Sequence, residues 1–404
     1  MPLKVDHARL LDDLRTLSQF GRVATGVHRL SYTPEDGQAR QWLLQRMAAA
    51  GLEAEIDGIG NVYGRYPGVG RAVLIGSHTD TVPKGGWLDG AMGVIYGLEV
   101  ARTLRETGDG AALGVDVISF ADEEGTYLGT GGSLSFCGEL SEEQMAGARS
   151  TGGKSLGEAL REAGYADRPR ARLDRRRHVA YLEAHIEQGP RLEAEGKRIG
   201  VVTGIVGMRR ALAEFTGQAD HAGTTPMHMR KDAGAACFRF AAQLLDRFSA
   251  VREKDTVWNL GHIAFDPGAG NVVPAAARLM VEYRDASEAV LDRMEAEMER
   301  LAEDMSGAVA IKLSKTMRIV PAAMDPKLGD MIAQAAEAHG ASWMRMPSGA
   351  GHDAMITARH VPSAMLFIPS IGGRSHDVSE NTEEADIALG ADVLAETVSR
   401  LVAA

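Results

Sequence analysis

Four short apolar segments of this chain are typical of buried strands, and each contains or leads into histidine or acidic residues. The segments are residues 71–76, 115–120, 181–189 and 363–368. The polar residues are His78, Asp80 and Asp89 after the first segment, Glu123 and Glu124 after the second, His185 within the third and His376 after the fourth. This mixture of imidazoles and carboxylates predicts a site for two metal ions, with one carboxylate bridging them and another left free as a base.

The loop after the first segment allows two interpretations of each polar residue. His78 can bind a metal through one ring nitrogen while Asp80, two residues on and on the same face of an extended chain, accepts the other N–H. Histidine and aspartate at this spacing also occur in ordinary surface loops. Asp89 stands in a Gly-rich turn just before a predicted helix over 91–104. It is therefore either a helix N-cap or the bridging ligand.

Three consecutive acids, Asp122, Glu123 and Glu124, follow the second segment. Acidic runs are usually solvated turns, but three acids after a buried strand are costly unless something positive pairs them. Neighbouring side chains of an extended segment point in opposite directions. One glutamate can therefore bind a metal while the other reaches the attacking water as a base.

The order of predicted elements indicates an α/β protein with an inserted domain. Residues 5–204 alternate helices with apolar strands. Residues 205–313 have the order β-α-β-β-α-β, which is typical of a ferredoxin-like domain, and the α/β pattern returns at about 315. We therefore predict a discontinuous catalytic domain over 1–204 and 315–404, and an inserted domain over 205–314.

Composition narrows the class of partner. At 404 residues and a formal net charge of −11, the chain lacks the excess of basic residues expected for binding nucleic acid or an anionic membrane. Its two cysteines, Cys137 and Cys237, indicate no disulfide framework. The first residues carry no apolar core of a signal peptide, so we expect a cytoplasmic protein.

Several motifs resemble those of a known family, the M20 metallo-amidohydrolases, and within it the group of N-carbamoyl-L-amino acid hydrolases, β-ureidopropionases and allantoate amidohydrolases. The resemblance covers essentially the whole chain. It rests on residues 76–82 (GSHTDTV), 85–90 (GGWLDG), 122–125 (DEEG), 183–189 (EAHIEQG), 217–227 (GQADHAGTTPM), 349–353 (GAGHD) and 372–376 (GGRSH). It implies a mixed-sheet α/β/α catalytic domain of zinc-peptidase type, with the ferredoxin-like insert as a lid and dimerisation domain.

The same resemblance implies roles for individual residues. Asp89 would bridge two divalent ions, Zn or else Mn, Co or Ni, and Glu123 would be the general base for the water that they activate. The expected metal ligands are His78, Asp89, Glu124, His185 and His376. The expected substrate-binding residues are Gln188, His221, Asn271 and Arg284, of which His221 would also stabilise the oxyanion.

Taken without the resemblance, three of these pocket residues have plainer interpretations. His221 is then an exposed loop histidine, Asn271 a turn asparagine, and Arg284 a strand-end arginine in a surface ion pair. Two positions depart from the pattern of the group. Leu88 stands where an aromatic residue is common, and Arg374 stands where an apolar residue is usual. The departure at Arg374 bears on the substrate side chain and not on the chemistry.

The implied reaction is hydrolysis of the carbamoyl C–N bond of an N-carbamoyl-L-amino acid to the amino acid, carbon dioxide and ammonia. The implied partners are a small ureido or amide substrate with a free carboxylate and a second copy of the chain, which pairs through the insert. Alternative substrates are allantoate, a β-ureido acid and, less favoured, an N-acyl amino acid or dipeptide. A different class is an inactive homologue that only binds ligands, which would show a broken ligand set or no Glu123.

Overall fold

The structure, a computed structural model, describes residues 3–108 and 113–403. The chain forms two compact units, one of Met1–Thr203 with Ala323–Ala404 and the other of Gly204–Ala322. The second unit extends past residue 315, where the sequence predicted the return to α/β, because its last strand continues to Ile319. No helix within the described residues is both long enough and apolar enough to cross a membrane.

Helices begin at side chains that satisfy the first backbone N–H groups. Asp6 accepts the N–H of Arg9, and Thr33 caps a helix whose first residue, Pro34, needs no hydrogen-bond acceptor. The α-helices are α1 His7–Leu17, α2 Pro34–Ala49, α3 Ala91–Thr107, α4 Gly131–Cys137, α5 Glu142–Gly147, α6 Leu156–Glu162, α7 Arg191–Ala194, α8 Ala233–Val251, α9 Glu288–Met305, α10 Pro326–Ala338, α11 Ala354–Thr357 and α12 Glu384–Ala403, with short 3-10 helices at Met227–Met229 and Ile371–Gly373.

The strands form a large mixed sheet in the first unit, a four-stranded sheet in the second and a small hairpin. The strands are β1 Arg22–Val23, β2 Gly26–Val27, β3 Glu53–Ile56, β4 Val62–Arg65, β5 Ala72–His78, β6 Gly114–Phe120, β7 His178–Ile186, β8 Ile199–Ile205, β9 Gly207–Thr216, β10 Val257–Asp266, β11 Ala276–Asp285, β12 Ala310–Ile319, β13 Ala322–Ala323, β14 Trp343–Ser348 and β15 Ser363–Ile368. The large sheet has the order β13-β8-β15-β7-β5-β6-β4-β3, and β14 pairs with β8.

Four neighbouring strands of the large sheet, β15, β7, β5 and β6, run parallel. His78 lies opposite Phe120 in the register of β5 and β6, and Phe367 lies opposite His185 in that of β15 and β7. The carboxyl ends of all four strands therefore meet at one edge of the sheet. These are the four segments after which the sequence places its candidate ligands, and ligands of α/β sheets typically bind at this edge.

Helices cover both faces of the large sheet. Val73 and Ile75 of β5 belong to a hydrophobic core shared with α1, α3, α10 and α12. On the opposite face Phe120 contacts Tyr181 and Phe136 of α4. This arrangement confirms the predicted α/β/α layers.

Helix α3 is buried along residues 91–104, and glycine allows it to approach the sheet closely. A Cβ atom at Gly93 would lie 2.4 Å from the carbonyl oxygen of Ala184 on β7, so a larger residue would push the helix away. The same close approach keeps the N-terminus of α3 at the edge of the sheet where the strands end.

The second unit is ferredoxin-like, as predicted. Its elements follow the order β9-α8-β10-β11-α9-β12, and its antiparallel sheet has the strand order β10-β11-β9-β12. Residues of α8 and α9 pack against alternate residues of β9 and β11 to form a separate hydrophobic core.

Candidate metal centre

His78 is the last residue of β5, and its imidazole is buried beside carboxylates. Its Nε2 lies 3.7 Å from Asp89 Oδ1 and 3.6 Å from Glu123 Oε2. Its Nδ1 lies 3.0 Å from the backbone carbonyl oxygen of Asp80. Since a carbonyl oxygen only accepts, the proton resides on Nδ1, and the lone pair of Nε2 is directed at the carboxylates.

The carboxylate of Asp80 differs from expectation. Its Oδ1 is 3.7 Å from His78 Nδ1, too far for a hydrogen bond, because the backbone after β5 turns the carbonyl oxygen of Asp80 towards the ring. The carboxylate instead accepts the backbone N–H of Glu123 at 3.4 Å, the backbone N–H of Glu124 at 3.2 Å and the hydroxyl of Ser31 at 2.9 Å. The carboxylate of Asp80 therefore anchors the backbone of both glutamates, while its backbone carbonyl oxygen orients the imidazole of His78.

Asp89 lies at the centre of the cluster, and its side chain is 4% exposed. Its Oδ1 is 3.0 Å from Nε2 of His185, while its Oδ2 is 3.3 Å from Nε2 of His376. Burial alone would raise the pKa of Asp89, but hydrogen bonds from the two histidines outweigh it and hold the pKa well below its usual value. One carboxylate oxygen thus faces His78 and His185 and the other faces His376, which is the arrangement that a bridging ligand needs.

The alternative role of Asp89 as a helix cap does not fit the structure. The N-cap residue of α3 is Gly90, which adopts a left-handed φ of 64° and makes no side-chain cap. A Cβ atom at Gly90 would lie 2.4 Å from the ring of His78. Glycine at this position therefore satisfies both the backbone conformation and the close approach of the imidazole.

The adjacent glutamates approach different histidines, although residues 121–124 form a bend, with a left-handed φ of 58° at Asp122, rather than the extended segment that was expected. Glu123 Oε2 approaches His78 Nε2, whereas Glu124 Oε1 lies 3.6 Å from His376 Nε2. Among the described residues, the buried Oε1 of Glu124 has no hydrogen-bond partner. A buried carboxylate oxygen without a donor is costly unless a cation approaches it.

The donor atoms form three overlapping sets in which every atom lies within 4.8 Å of the others: His78 with Asp89 and His185, Asp89 with Glu124 and His376, and His78 with Glu123 and Glu124. The first two sets share Asp89 and use each histidine once. Nitrogen and carboxylate oxygen donors suit Zn²⁺ and its neighbours in the first transition row. The residues present therefore fit a pair of divalent cations.

The pKa values of the buried carboxyl groups also indicate that positive charge would stabilise the site. Burial and the charge of Glu124 raise the pKa of Glu123 well above its usual value. Burial and the charge of Asp89 raise the pKa of Glu124 as well, and burial with the charge of Asp80 raises that of Asp122 to about 7. Divalent cations would relieve this repulsion between buried carboxylates.

Gln188 lies at the candidate metal centre itself. Its amide nitrogen is 3.1 Å from Asp89 Oδ2, 3.2 Å from Ser375 Oγ and 3.3 Å from His376 Nε2. Gln188 and His376 both adopt left-handed backbone conformations, with φ of 59° and 56°. Such conformations cost energy in residues other than glycine and often occur at functional sites.

The sequence analysis did not identify two buried side chains that contact the candidate ligands or their loops. His352 is buried with its ring 4.5 Å from that of His185, centroid to centroid, and its Nε2 lies 2.9 Å from the hydroxyl of Ser348. Glu380 is also buried and contacts the loop of Asp89. His352 lies in the quoted motif 349–353, which was a usable signal, whereas Glu380 follows a polar loop and resembles an ordinary exposed acid.

Two of the predicted substrate residues lie close together in the second unit. The N–H of Ala222 donates to the carbonyl oxygen of Asn271 at 3.0 Å, and His221 and Asn271 are both exposed. The Nδ1 atom of His221 accepts the backbone N–H groups of Gly223 at 3.0 Å and Thr224 at 3.2 Å. Because Nδ1 accepts, the ring proton resides on Nε2, where it can be donated to a ligand.

Arg284 lies near the end of β11 in the same unit. Its Nε and Nη2 donate to Oε1 of Glu282 at 3.0 and 2.8 Å, and its side chain is about one third exposed. The ion pair expected from the plainer interpretation is therefore present. A substrate carboxylate would have to share the guanidinium with Glu282.

Comparison with known proteins places the chain in a family. Residues 74–400 match the family described as Peptidase family M20/M25/M40. The chain is 34% identical over 403 residues to an allantoate amidohydrolase of Bacillus subtilis, with 97% of each chain covered, and 34% identical over 412 residues to an N-carbamoyl-L-amino-acid amidohydrolase of Paenarthrobacter aurescens, with 98% of each covered. It superposes with a TM-score of 0.94 on the crystal structure of an amidase of the hydantoinase/carbamoylase family from Burkholderia phymatum, at 48% identity, covering 100% of this chain and 99% of that chain.

The fold and the clustered donors define a hydrolase of the metal-dependent α/β/α type. The chain belongs to the M20 peptidase family, within which its relatives are amidohydrolases that act on C–N bonds other than peptide bonds. The resemblance inferred from the motifs is thereby confirmed, as is the prediction of a hydrolase acting on such bonds. The relatives carry the names of different substrates, so the amidohydrolase class is established by similarity and the substrate is not.

Proposed function

We propose that this protein hydrolyses the carbamoyl C–N bond of N-carbamoyl-L-amino acids, giving an L-amino acid, carbon dioxide and ammonia. The observation that carries the proposal is the arrangement of side chains around the two carboxylate oxygens of Asp89. One of its oxygens faces His78 and His185, the other faces His376 beside Glu124, and Glu123 is left over at the same centre. An inactive, ligand-binding homologue would be expected to lack part of this set.

We assign one ion to His78, Asp89 and His185 and a second to Asp89, Glu124 and His376, following the two sets that share Asp89. Two bound divalent ions would lower the pKa of a water and polarise the carbonyl oxygen of the substrate. Zn, Mn, Co and Ni all suit these donors, and the described cluster contains no thiolate that would favour one of them.

Glu123 is the proposed general base. Its carboxylate lies at the cluster but remains outside both assigned sets, and its backbone is fixed by Asp80. It would take a proton from the attacking water and return it to the leaving nitrogen, so that the same oxygen serves both steps.

The second unit is proposed to supply substrate contacts. The Nε2–H of His221 is suited to donate to the developing oxyanion, a contact that can contribute about 2.7–4 kcal/mol to catalysis. Arg284 and Asn271, with Gln188 from the first unit, would hold the α-carboxylate and the ureido group, since the planar fork of arginine matches a carboxylate. Binding at the end that does not react would orient the scissile bond.

A homodimer formed through the second unit is part of the proposal. Its support is a set of exposed apolar side chains on α8 and the edge strand β10. These include Phe238, Leu245, Val257 and Ile263.

Allantoate is the second candidate substrate. The relative named allantoate amidohydrolase is as similar to this chain as the one named N-carbamoyl-L-amino-acid amidohydrolase, at 34% identity each. Both substrates combine a ureido group with a carboxylate. A panel of N-carbamoyl-L-amino acids and their D-enantiomers, allantoate, 3-ureidopropionate and dipeptides, assayed for ammonia release with Zn, Mn, Co and Ni added separately, would decide between them.

Two matched variants test the mechanism. Glu123→Gln preserves size and should retain both metal ions while the turnover rate falls by about 10²–10⁴-fold, the usual contribution of a general base. Glu124→Gln, one residue away, should instead lower the metal content. Metal analysis and steady-state kinetics on both proteins would separate the roles, and wild-type turnover by a metal-loaded Glu123→Gln protein would remove Glu123 from the base role.

A further inference from the structure

Glu380 is a buried carboxylate that touches two of the loops at the metal centre without belonging to any of the donor sets. It is 1% exposed and lies between the loop of His376 and helix α12. Its Oε1 accepts the backbone N–H of Leu88 at 3.1 Å and that of Asp89 at 3.0 Å. Its Oε2 accepts the hydroxyl of Ser375 at 2.7 Å.

These contacts connect residues that are almost three hundred positions apart in the chain. Asp89 itself donates one of the hydrogen bonds, and Ser375 directly precedes His376. Asp89 and His376 are two of the three members of the set that would hold the second ion. The side chain of Glu380 therefore holds both the loop of Asp89 and the loop of His376.

The loop before Asp89 is shaped to receive this carboxylate. A Cβ atom at Gly86 would lie 1.8 Å from Oε1 and 1.9 Å from Cδ of Glu380, so glycine is needed there although its φ is not in the left-handed region. Next to it, the indole N–H of Trp87 donates to the side-chain oxygen of Asn381 at 3.3 Å. The loop and the segment after His376 therefore fit each other at two consecutive positions.

We infer that Glu380 is a positioning residue for the second metal ion, because it holds the loop of Asp89 and the loop of His376 at the separation that the ion requires. The inference rests on the two-ion site proposed above. It assigns Glu380 no contact with the ion or the substrate. Removing such an outer support of a metal site typically costs about 10–100-fold in metal affinity.

The inference predicts a selective effect. At the other oxygen of Asp89, Nδ1 of His78 donates to the carbonyl oxygen of Asp80 and Nδ1 of His185 donates to that of Ile186, so Glu380 positions neither ring directly. The ion assigned to these two histidines should therefore be weakened less than the ion assigned to Glu124 and His376. A residue that merely stabilised the fold would weaken both ions equally or neither.

The test compares full-length wild type with Glu380→Ala, Glu380→Gln and the control Asp377→Asn. Asp377 is an exposed acid of the same loop whose partners are Ser379 and Arg374. Each metal-free protein is titrated with Zn²⁺ against a competing chelator, and bound metal is measured by mass spectrometry. Thermal unfolding of the metal-free proteins reports whether the fold is kept.

We expect wild type and Asp377→Asn to bind two ions. Glu380→Ala should bind the ion assigned to Glu124 and His376 about 10–100-fold more weakly and the other ion, which shares only Asp89, with a clearly smaller loss. Glu380→Gln should remain within about fivefold of wild type, since its carbonyl oxygen can accept both backbone N–H groups while its amide donates to Ser375. If Glu380→Ala does not fold, Ser375→Ala, which deletes one hydroxyl, should produce the same selective loss to a smaller degree.

Three results would overturn the inference. The first is binding of both ions by Glu380→Ala with wild-type affinity, and the second is an equal loss in Asp377→Asn. The third is equal weakening of both ions, which would leave Glu380 a general structural residue. A wild-type protein that binds fewer than two ions would instead refute the two-ion proposal itself, and the role of Glu380 with it.

Discussion

Asp80 offers the sharpest test of how this centre is built, because its carboxylate holds backbone rather than metal. The substitution Asp80→Asn keeps the shape of the side chain and replaces one oxygen by an NH₂ group. Oδ2 serves Ser31 and the N–H of Glu124, and Oδ1 serves the N–H of Glu123. Whichever way the amide turns, a donor then faces at least one backbone N–H.

The size of the effect follows from these contacts. A hydrogen bond to a charged group contributes about 1.5–3 kcal/mol, against about 0.5–1.5 kcal/mol for a neutral pair. The two backbone contacts are long, at 3.4 and 3.2 Å, so the low ends apply. Losing one and weakening the other costs about 2 kcal/mol, which corresponds to roughly a 30-fold loss of metal affinity if the glutamates must be held in place to bind.

The assay is a competitive metal titration of the two proteins, with Ser31→Ala as the matched control. That variant deletes a hydrogen bond to the same carboxylate but leaves both backbone contacts, so it should change metal affinity by less than about threefold. A metal affinity of Asp80→Asn within threefold of wild type would refute the reasoning. So would an equal loss in Ser31→Ala, since the backbone contacts would then not be the ones that matter.

Three further predictions address other parts of the molecule. Gly90→Ala should abolish metal binding in a titration, because its Cβ would lie 2.4 Å from the ring of His78 and the residue needs a left-handed φ. Asp116→Ala should lower the free energy of unfolding by about 3–5 kcal/mol in denaturant melts, since it leaves the buried guanidinium of Arg177 without its partner at 2.6 Å. Burial raises the pKa of Asp116, but its hydrogen bonds outweigh burial and lower the pKa to about 2. The carboxylate therefore stabilises wild type fully above about pH 4, and this stabilisation is lost as the pH falls through about 2. The free energy of unfolding of the variant should depend less on pH in this range. Arg284→Lys should raise KM for a carbamoyl amino acid by about 10-fold or more with little change in kcat, because a point charge replaces a planar fork, and a KM near that of wild type would mean that the carboxylate is held elsewhere.

The fold was largely predictable because its signals are local. Apolar runs of strand length led to β5, β6, β7 and β15 within a few residues of their observed ends, and the β-α-β-β-α-β order led to the ferredoxin-like unit. The return of the chain to the first unit was less predictable. Strand β12 continues to Ile319 past an irregularity in its pairing between Lys315 and Met317, and no simple alternation of polar and apolar residues marks such a bulge.

The candidate ligands were predictable for a related reason. They stand at the ends of parallel strands, and a parallel sheet brings such ends to one edge whatever the separation in sequence. The roles of the supporting carboxylates were not predictable in this way. Asp80 was expected to accept from His78 because of a two-residue spacing, but the backbone turn after β5 decides which oxygen reaches the ring, and spacing alone does not specify that turn.

Glu380 shows why outer supports escape sequence reasoning. Metal ligands belong to a few residue types, so a histidine or acid at a strand end can be recognised in the sequence. A residue that holds a ligand loop in place can be recognised only from its contacts in the folded structure. Its partners are backbone N–H groups, which every residue except proline possesses. The one trace in sequence is Gly86, and a glycine in a turn has many commoner explanations. Asp80 and Glu380 thus act alike, since each is a buried carboxylate that accepts backbone N–H groups of a loop carrying candidate ligands. That shared design explains how side chains from distant segments can be held within ångströms of one another before any cation binds.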